Sequence, residues 1–514
     1  MMPEPSILLV LALVLPVAGL LLALVAGGRH AGRIALLLTP VGLAVAAAIA
    51  VGVVRADEAL VYHLGGWAPP LGVALRADGL SAILLLTTAA IIGATGWFAR
   101  AEFRPAPGQV EGRASLAFWT LLLALWGALN LVFLGNDLFT LFVALELLTF
   151  SAVPLVCLDG RAGTIEAALR YLLFALFGSV LYLLGVVLLY GAYGTLDIGL
   201  LSDLIQREPI ALAAAALMTV GLLAKTALFP LHLWLPPAHA GAPAAASAVL
   251  SALVVKASLF LIVRLWFDVM PELMNPTAAQ VLGALGAAAI LFGGVLALRQ
   301  ARLKMLIAYS TVAQIGYLFL VFPLITRPES VPLAAADLGA ELVAISVSTS
   351  AWSGGVLQAV SHAFAKAAMF LAAGLIAQRL GHDRIADLGG IGRALPITVL
   401  AFGLAGMSLM GLPPSGGFAA KWLLLMATIE TGQWWWSLVI LGGGLLTGGY
   451  LFRVLAPVLA GASEPVTLHA PVARYRELVV LALALCSVLL GFVRLGAFDL
   501  VQIGRLTTAG MGLP

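Results

Sequence analysis

The sequence contains few charged residues, and lysine and cysteine are especially rare. Of its 514 residues only 10% are Asp, Glu, Lys or Arg, whereas soluble domains carry roughly 25%. Apolar residues make up 62% of the chain, and its mean hydropathy is +1.10. Because no soluble fold can bury so many apolar side chains, we exclude a soluble enzyme, a nucleic-acid-binding protein and a disordered scaffold. The chain is predicted to be an integral membrane protein.

Signatures of bound cofactors and metals are also missing. Cys157 and Cys486 lie far apart in apolar runs and form no CxxC pair, so we interpret both as small apolar side chains. Neither a GxGxxG nor a GxxxxGK[ST] motif occurs in a strand–helix context. The sequence offers no third cluster of metal-ligating residues to complete a metal site with the histidines. The sequence therefore predicts no redox cofactor and no metal in this chain, and it leaves open whether the chain is part of an enzyme.

Apolar stretches of about 20 residues, the length that crosses a bilayer, recur along the whole sequence. They predict an all-α polytopic membrane protein with about fourteen transmembrane helices and no separate soluble domain. The predicted spans are 6–27, 34–54, 79–99, 115–135, 138–158, 167–192, 210–233, 243–266, 277–298, 305–325, 351–377, 395–426, 437–460 and 478–494.

The distribution of basic residues between loops predicts the orientation, since cytoplasmic loops carry an excess of Lys and Arg. Loops after odd-numbered spans hold sixteen: Arg29, Arg33, Arg100, Arg104, Arg113, Arg161, Arg170, Arg299, Arg302, Lys304, Arg379, Arg384, Arg393, Arg453, Arg474 and Arg476. Loops after even-numbered spans and the C-terminal tail hold seven: Arg55, Arg76, Arg207, Arg264, Arg327, Arg494 and Arg505. The sequence therefore predicts a bacterial inner-membrane protein with both termini on the outer face.

The remaining basic residues of the 27 are four lysines inside predicted spans, and one acidic residue accompanies them. These five are Glu146, Lys225, Lys256, Lys366 and Lys421. Each charge at the bilayer centre costs about 2.5–3.5 kcal/mol, so the set costs roughly 12–18 kcal/mol if uncompensated, as much as the net stability of a protein. Lys releases a proton when desolvated, whereas Arg does not. A codon bias towards Arg explains the arginine-rich loops but leaves lysine inside the spans unexplained, so we favour proton transfer over structural ion pairing.

Two spans contain prolines that break a helix. The seventh reads Phe229-Pro230 and Pro236-Pro237, and the twelfth reads Pro413-Pro414. Proline removes a backbone donor and frees carbonyls that lipid cannot satisfy, so such breaks occur against protein or water-filled cavities. One interrupted segment in each half is typical of a transporter built from inverted repeats.

Three histidines are candidates for proton relay near neutral pH. His362 lies four residues before Lys366 on the same predicted helix face, and for it we favour a relay over a hydrogen-bonded core histidine. His232 and His239 flank the first break. For these two, both interpretations stay open.

At the charged residues, histidines and prolines described above, the sequence resembles the antiporter-like membrane subunits of respiratory complex I and of Mrp-type cation/proton antiporters. The resemblance covers roughly residues 80–460 and includes several motifs in the same order. They are Phe142-x3-Glu146-Leu147, Ala224-Lys225-Thr226 with Phe229-Pro230-x-His232 and Ala238-His239, Lys256, Lys304-x4-Tyr309-Ser310, Ser361-His362-Ala363-x2-Lys366, and Gly411-Leu412-Pro413-Pro414 with Lys421-Trp422.

The resemblance implies a proton path through each half of two inverted five-helix repeats. It implies helices 1–3 in residues 1–114, the first repeat in 115–267, the second in 268–460, and helix 14 with the tail in 461–514. It implies that Glu146 pairs with Lys225, that Lys256 is the central connector, and that His362 and Lys366 lead towards Lys421, the terminal titrating group. Lys304 matches a family position near the cytoplasmic entry of the tenth helix.

Three transport functions stay open at this point, and each predicts other membrane subunits as partners. The favoured one is a proton-translocating subunit of a redox-driven complex, NADH:quinone oxidoreductase-like or hydrogenase-linked. The second is a subunit of an Mrp-type sodium/proton antiporter, and the third is a module that energises uptake of another solute, such as inorganic carbon. A purely structural membrane scaffold is disfavoured by the cost of the buried lysines. The predicted transported ions are protons, with Na⁺ as the alternative, and the predicted surroundings are lipid.

Overall fold

The computed structural model describes residues 6–103, 112–326, 338–460, 467–493 and 495–505, with backbone alone at 338–347 and 495–498. Most of these residues are helical. The helices are α1 Ile7–Ala26, α2 Gly28–Ala56, α3 Gly79–Ala99, α4 Arg113–Leu134, α5 Leu138–Val156, α6 Ala162–Tyr193, α7 Ile198–Leu204, α8 Pro209–Thr226, α9 Leu235–Gly241, α10 Ala244–Val249, α11 Val255–Arg264, α12 Pro276–Arg299, α13 Leu303–Phe319, α14 Val321–Ile325, α15 Leu338–Leu380, α16 Ile391–Ala394, α17 Pro396–Met410, α18 Gly416–Glu430, α19 Trp435–Leu459 and α20 Arg474–Leu489.

Thirteen helices among the described residues are long and apolar enough to span a membrane. Each coincides with one predicted span, and the one predicted span left over, the twelfth at 395–426, corresponds to the two shorter helices α17 and α18. The all-α polytopic fold is therefore confirmed. One small sheet accompanies it, a hairpin of β1 Leu60–His63 and β2 Ala74–Ala77 in which Leu60 pairs with Ala77.

Both predicted helix breaks are present. The seventh helix is shorter than predicted, because α8 ends at Thr226 and residues 227–234 form turns before α9. At this end Ala227 has a φ of +57°, a left-handed conformation that residues with a Cβ rarely adopt. The second break lies between α17 and α18, where Gly411, at φ +87°, caps α17. Glycine takes this conformation without steric cost, which explains why α17 ends there.

The chain forms two compact units. The first comprises residues 1–226, 241–274 and 496–514, and the second comprises 227–240 and 275–495. Within them, the spans that carry Lys256 and Lys366 are far more enclosed by protein than the first span. Ala244–Val269 with Lys256 is 94% buried and Ser348–Leu380 with Lys366 is 89% buried, against 28% for Ile7–Ala26. These two lysines therefore lie on helices shielded from lipid.

Many arginines that were assigned to loops lie instead in the terminal turns of helices, since the helices extend past the apolar stretches. These are Arg29, Arg33, Arg55, Arg113, Arg299, Arg379, Arg474 and Arg476. From or near a terminal turn a long arginine side chain still reaches water; Arg476, which is only 5% exposed, is the exception in this set. Arg170 and Arg453 lie further inside α6 and α19 and are exposed. Arg104, Arg327 and Arg494, which were also assigned to loops, lie outside the described residues.

Arg264 is the clear exception, and its assignment to an outer loop was wrong. It lies in α11 with only 9% of its side chain exposed, because the helix continues through a π-helical turn to Val269 and so carries Arg264 inside the protein. Its guanidinium contacts Asp78 and Asp268, each at 2.5 Å, and donates to Ser81 at 3.1 Å. The first unit therefore contains a buried arginine that is neutralised by two carboxylates.

Asp78 also anchors the start of α3, just outside that span. Its Oδ1 accepts a hydrogen bond from the Ser81 backbone N–H at 2.9 Å. Burial on its own would raise the pKa of the Asp78 carboxyl, but the neighbouring Arg264 and Arg76 outweigh burial and hold the pKa below its usual range. The carboxylate is therefore ionised at neutral pH, and its contribution to stability is lost only as the pH falls through that lowered pKa.

Removing the charge of Asp78 is expected to destabilise the first unit. Asp78→Asn leaves Arg264 only one carboxylate, and disrupting a buried ion pair costs about 3–5 kcal/mol. The check is thermal unfolding of the detergent-purified protein at neutral pH. The matched control is Asp387→Asn, which removes an exposed pair with Arg384 (49% and 70% exposed side chains) and should cost less than about 1 kcal/mol. Equal losses for the two variants would contradict the buried network.

Candidate proton-transfer sites

The first site is a buried ion pair between neighbouring helices of the first unit. Glu146 lies near the middle of α5 and Lys225 in the last turn of α8. The Lys225 Nζ lies 3.3 Å from the Glu146 Oε1, and the two side chains are 6% and 17% exposed. The sequence-based pairing of these residues is thus found in the structure. Each charge compensates the other, so neither faces the apolar environment alone.

Two hydroxyl groups complete this ion pair. The Thr149 hydroxyl accepts a hydrogen bond from Lys225 Nζ at 2.9 Å, and Ser179 on α6 donates to the Glu146 carboxylate. Neither hydroxyl was among the residues predicted from the sequence. Thr149 follows Glu146 by three residues and therefore shares its helix face, so spacing would have found it. Ser179 lies on another helix, and no sequence pattern indicated it.

Glycine residues allow α6 and α8 to approach closely beside the pair. A Cβ on Gly178 would lie 2.5 Å from the Gly221 carbonyl oxygen, and a Cβ on Gly221 would lie 2.3 Å from the Gly178 oxygen. Such distances are too short for any real side chain. The backbone contact places Ser179 and Lys225, each near one of these glycines, on helices that pack closely together.

Lys256, in the same unit, is held by the backbone of its own helix. Residues 250–254 form a π-helical turn immediately before α11. Lys256 Nζ donates to the Ser251 carbonyl oxygen at 2.6 Å, and the residue is 3% exposed. π-Turns alter the backbone hydrogen-bonding pattern and are frequent at functional sites. Among the described contacts none joins Lys256 directly to Glu146 or Lys225.

In the second unit Lys366 is completely buried on α15. Its Nζ donates to the Ile307 carbonyl oxygen at 3.0 Å and to the Ser310 hydroxyl, both on α13. His362 is also buried, one turn earlier on the same helix. The predicted grouping of His362 and Lys366 on one helix is therefore observed, and Ser310 joins it.

Lys421 lies at the second helix break, where it faces the end of α17. Its Nζ donates to the carbonyl oxygens of Leu409 at 2.7 Å and Met410 at 3.3 Å. These are orphan carbonyls at a helix C-terminus, where the helix dipole favours a positive charge. The ammonium also lies 4.2 Å from the centre of the Tyr317 ring, a cation–π contact. The carbonyl dipoles at the break thus compensate the charge of Lys421, for which the described residues provide no carboxylate partner.

The other three candidate residues occupy different settings. His232 is buried between Phe229 and Phe292, with ring centroids 5.6 Å and 5.5 Å away. His239 stacks at 4.6 Å on Phe370, which lies one turn after Lys366 on α15. Lys304 lies half-buried in the first turn of α13, and its backbone N–H donates to Asp383 at 3.4 Å. For His232 and His239, proton relay and packing both stay predictions.

Comparison with known proteins finds a matching family and several relatives. The family described as NADH:quinone oxidoreductase/Mrp antiporter, transmembrane, matches residues 135–329 and 334–447. The NADH-quinone oxidoreductase subunit N of Desulforudis audaxviator is 35% identical over 443 residues, which is 82% of this chain and 82% of that protein. A Na⁺/H⁺ antiporter subunit of Alkalihalophilus pseudofirmus is 28% identical over 391 residues, 75% and 73% of the two chains.

Solved structures show the same fold. A chain of the Mrp complex from Dietzia sp. DQ12-45-1b superposes with a TM-score of 0.85, at 23% sequence identity, and the match covers 98% of each chain. At this level of identity the likeness establishes the architecture rather than the activity. The matched family region includes Glu146, Lys225, Lys256, Lys366 and Lys421.

Separating α6 from α8 is expected to disrupt the ion pair. Gly178→Ala places a methyl group against the Gly221 carbonyl, and such overpacking costs about 1–3 kcal/mol or displaces the helices. We expect proton flux in membrane vesicles to fall when it is normalised to the amount of assembled protein. The matched control is Gly191→Ala on the same helix, where a Cβ meets no atom within 4 Å. Wild-type flux in Gly178→Ala would contradict a requirement for close α6–α8 packing.

Proposed function

Because the chain belongs to the NADH:quinone oxidoreductase/Mrp antiporter family, we propose that it is a proton-translocating membrane subunit of a multisubunit redox-driven complex. The observation that carries this proposal is the buried pair of Glu146 and Lys225, 3.3 Å apart and bordered by two hydroxyl groups. A structural pair would be served equally well by arginine, which keeps its charge under all conditions. The lysine adds the capacity to lose a proton.

The proposed mechanism uses the opening and closing of this pair. When Glu146 contacts Lys225, the ammonium form is stabilised, and when the two separate, the proton is released towards Lys256. Each factor of ten in proton affinity corresponds to about 1.4 kcal/mol. A modest change in the geometry of the Glu146–Lys225 pair is therefore sufficient to move a proton. The second unit would repeat this with Lys366 and His362 leading to Lys421. The driving reaction belongs to partner subunits.

The arrangement of the chain in the membrane is part of the same proposal. The excess of basic residues after odd-numbered spans supports both termini on the outer face of a bacterial inner membrane. The two inverted five-helix repeats, residues 115–267 and 268–460, are supported by one broken helix in each half. Proton entry near Lys304 would then be cytoplasmic.

A sodium/proton antiporter component is the second candidate function. It is supported by the similarity to the Na⁺/H⁺ antiporter protein of Alkalihalophilus pseudofirmus. The two candidates differ in coupling: an antiporter requires Na⁺ for proton flux, and a redox-driven complex requires an electron-transfer partner. Mass spectrometry of the proteins that co-purify with this chain separates them, and proton flux in proteoliposomes with and without Na⁺ gives an independent check.

Lys225→Arg is expected to abolish proton translocation. Arginine keeps the positive charge and the contact with Glu146 but does not release its proton, so the complex should assemble while proton flux falls by about a hundredfold or more. Flux is measured in inverted vesicles with a pH-sensitive dye. The control is Arg170→Lys, a conservative change at an exposed site on α6.

Wild-type flux in Lys225→Arg would eliminate the titrating role of Lys225. Unchanged flux in Glu146→Ala, with the complex still assembled, would instead support a structural scaffold. Loss of assembly in both variants would likewise point to a structural pair.

A further inference from the structure

A continuous series of polar side chains extends from Lys366 across the second unit. Lys366 Nζ donates to the Ser310 hydroxyl on α13. The hydroxyl of Tyr450 on α19 lies within hydrogen-bonding reach of Ser310 and of Gln314, and it donates to the Thr447 hydroxyl at 3.3 Å. The hydroxyls of Ser310, Tyr450 and Thr447 therefore lie close together beyond the buried lysine. Those of Ser310 and Thr447 also donate to the carbonyl oxygens of Ile307 and Gly443, each at 2.8 Å, so a transfer along the series requires them to turn away from these carbonyls.

The far end of this series reaches the group that holds Lys421. The Gln314 Nε2 donates to Thr447 Oγ1 at 3.3 Å and to the Leu409 carbonyl oxygen at 3.1 Å. The same oxygen accepts a hydrogen bond from Lys421 Nζ at 2.7 Å. Gln314 is itself held by Gln358, whose Nε2 donates to its Oε1 at 3.0 Å. Both lysines are therefore connected to one polar network.

All members of the network are shielded from lipid. Ser310, Gln314 and Tyr450 are 0% exposed and Thr447 is 1% exposed. Buried polar groups cost free energy unless they are hydrogen-bonded, and apolar residues would pack this region without that cost. Hydroxyl groups also accept one proton while releasing another, which the amide of Gln314 does not do readily. The composition of the network therefore suits transfer along the hydroxyls, with the amide as support.

We propose that Tyr450, with Ser310 and Thr447, passes protons between Lys366 and Lys421, and that Gln314 is a positioning residue for Thr447. This inference rests on the proposed function and goes beyond it by naming the connection inside the second unit. None of these four residues belongs to the set of charged and histidine side chains that the sequence indicated.

The transfer requires no change other than in O–H and N–H bonds. The Lys366 ammonium gives a proton to the Ser310 oxygen, which releases its own proton to Tyr450. Tyr450 in turn releases its proton to Thr447. The last step takes the proton from Thr447 to the neutral Lys421 amine, and the proposal requires one bridging water molecule as its carrier. Each hydroxyl ends with one hydrogen, Lys366 ends neutral and Lys421 ends charged.

Tyr450→Phe tests the proposal, because it removes only the hydroxyl oxygen and leaves the ring. We expect proton flux in vesicles to fall by roughly a hundredfold in a complex that assembles normally. The matched control is Tyr182→Phe in the first unit, another buried tyrosine, whose hydroxyl donates to the Leu138 carbonyl oxygen at 3.2 Å. Its flux should stay within about twofold of wild type, since its hydroxyl makes a single bond to the backbone, and such a bond mainly affects stability.

A second pair of variants keeps the test informative if Tyr450→Phe fails to assemble. Thr447→Val has the shape of threonine but no hydroxyl, and Thr447→Ser retains the hydroxyl. The proposal predicts loss of flux in Thr447→Val and near-normal flux in Thr447→Ser, whereas a packing role predicts the reverse order. Normal flux in both Tyr450→Phe and Thr447→Val would overturn the relay.

The relay and the proposed function fail in different ways. If Lys225→Arg stops translocation while Tyr450→Phe and Thr447→Val do not affect it, the chain translocates protons by another connection and only the relay is wrong. If Lys225→Arg translocates protons at the wild-type rate, the titrating mechanism itself is wrong.

Discussion

A positive charge inside the membrane must be given a partner, and this requirement shapes the interior of the protein. Each of the four buried lysines meets it differently. Lys225 has a carboxylate, Lys256 a carbonyl beside a π-helical turn, Lys366 a carbonyl and a hydroxyl, and Lys421 the carbonyl end of a helix. Only one of these partners carries a full negative charge. The described hydrogen bonds of Lys256, Lys366 and Lys421 are made to carbonyl and hydroxyl dipoles.

Irregular backbone provides much of this compensation. A regular helix uses its own carbonyls internally, so it has few to offer a buried ammonium. The π-helical turn at 250–254 and the end of α17 at Met410 depart from that pattern next to Lys256 and Lys421. The irregular segments are thus part of the sites, because they create the acceptors that hold the lysines. Buried spans such as Ser348–Leu380 keep lipid away from them.

The sequence predicted the elements of this protein better than their contacts. Apolar stretches of about 20 residues identified the spans, and the rarity of lysine identified four of the central residues, since each is a costly exception in an apolar run. Ser179, Gln314 and Tyr450 were not predicted, because an isolated polar residue in a span acquires its meaning only from the helix packed against it. Arg264 was misplaced because it was counted with the following loop although it lies two residues inside the predicted span 243–266, and the helix in fact continues to Val269.

If the buried lysines exchange protons during transport, the scarcity of lysine makes that exchange directly measurable. The chain holds five lysines, so ¹⁵N-lysine labelling of this chain gives five side-chain signals in solid-state NMR spectra, each assigned by a single Lys→Arg substitution. We predict that at least one of Lys225, Lys256, Lys366 and Lys421 shows a neutral amine signal that grows or declines when the assembled complex changes from rest to turnover. Five ammonium signals that stay unchanged in both states would contradict this exchange.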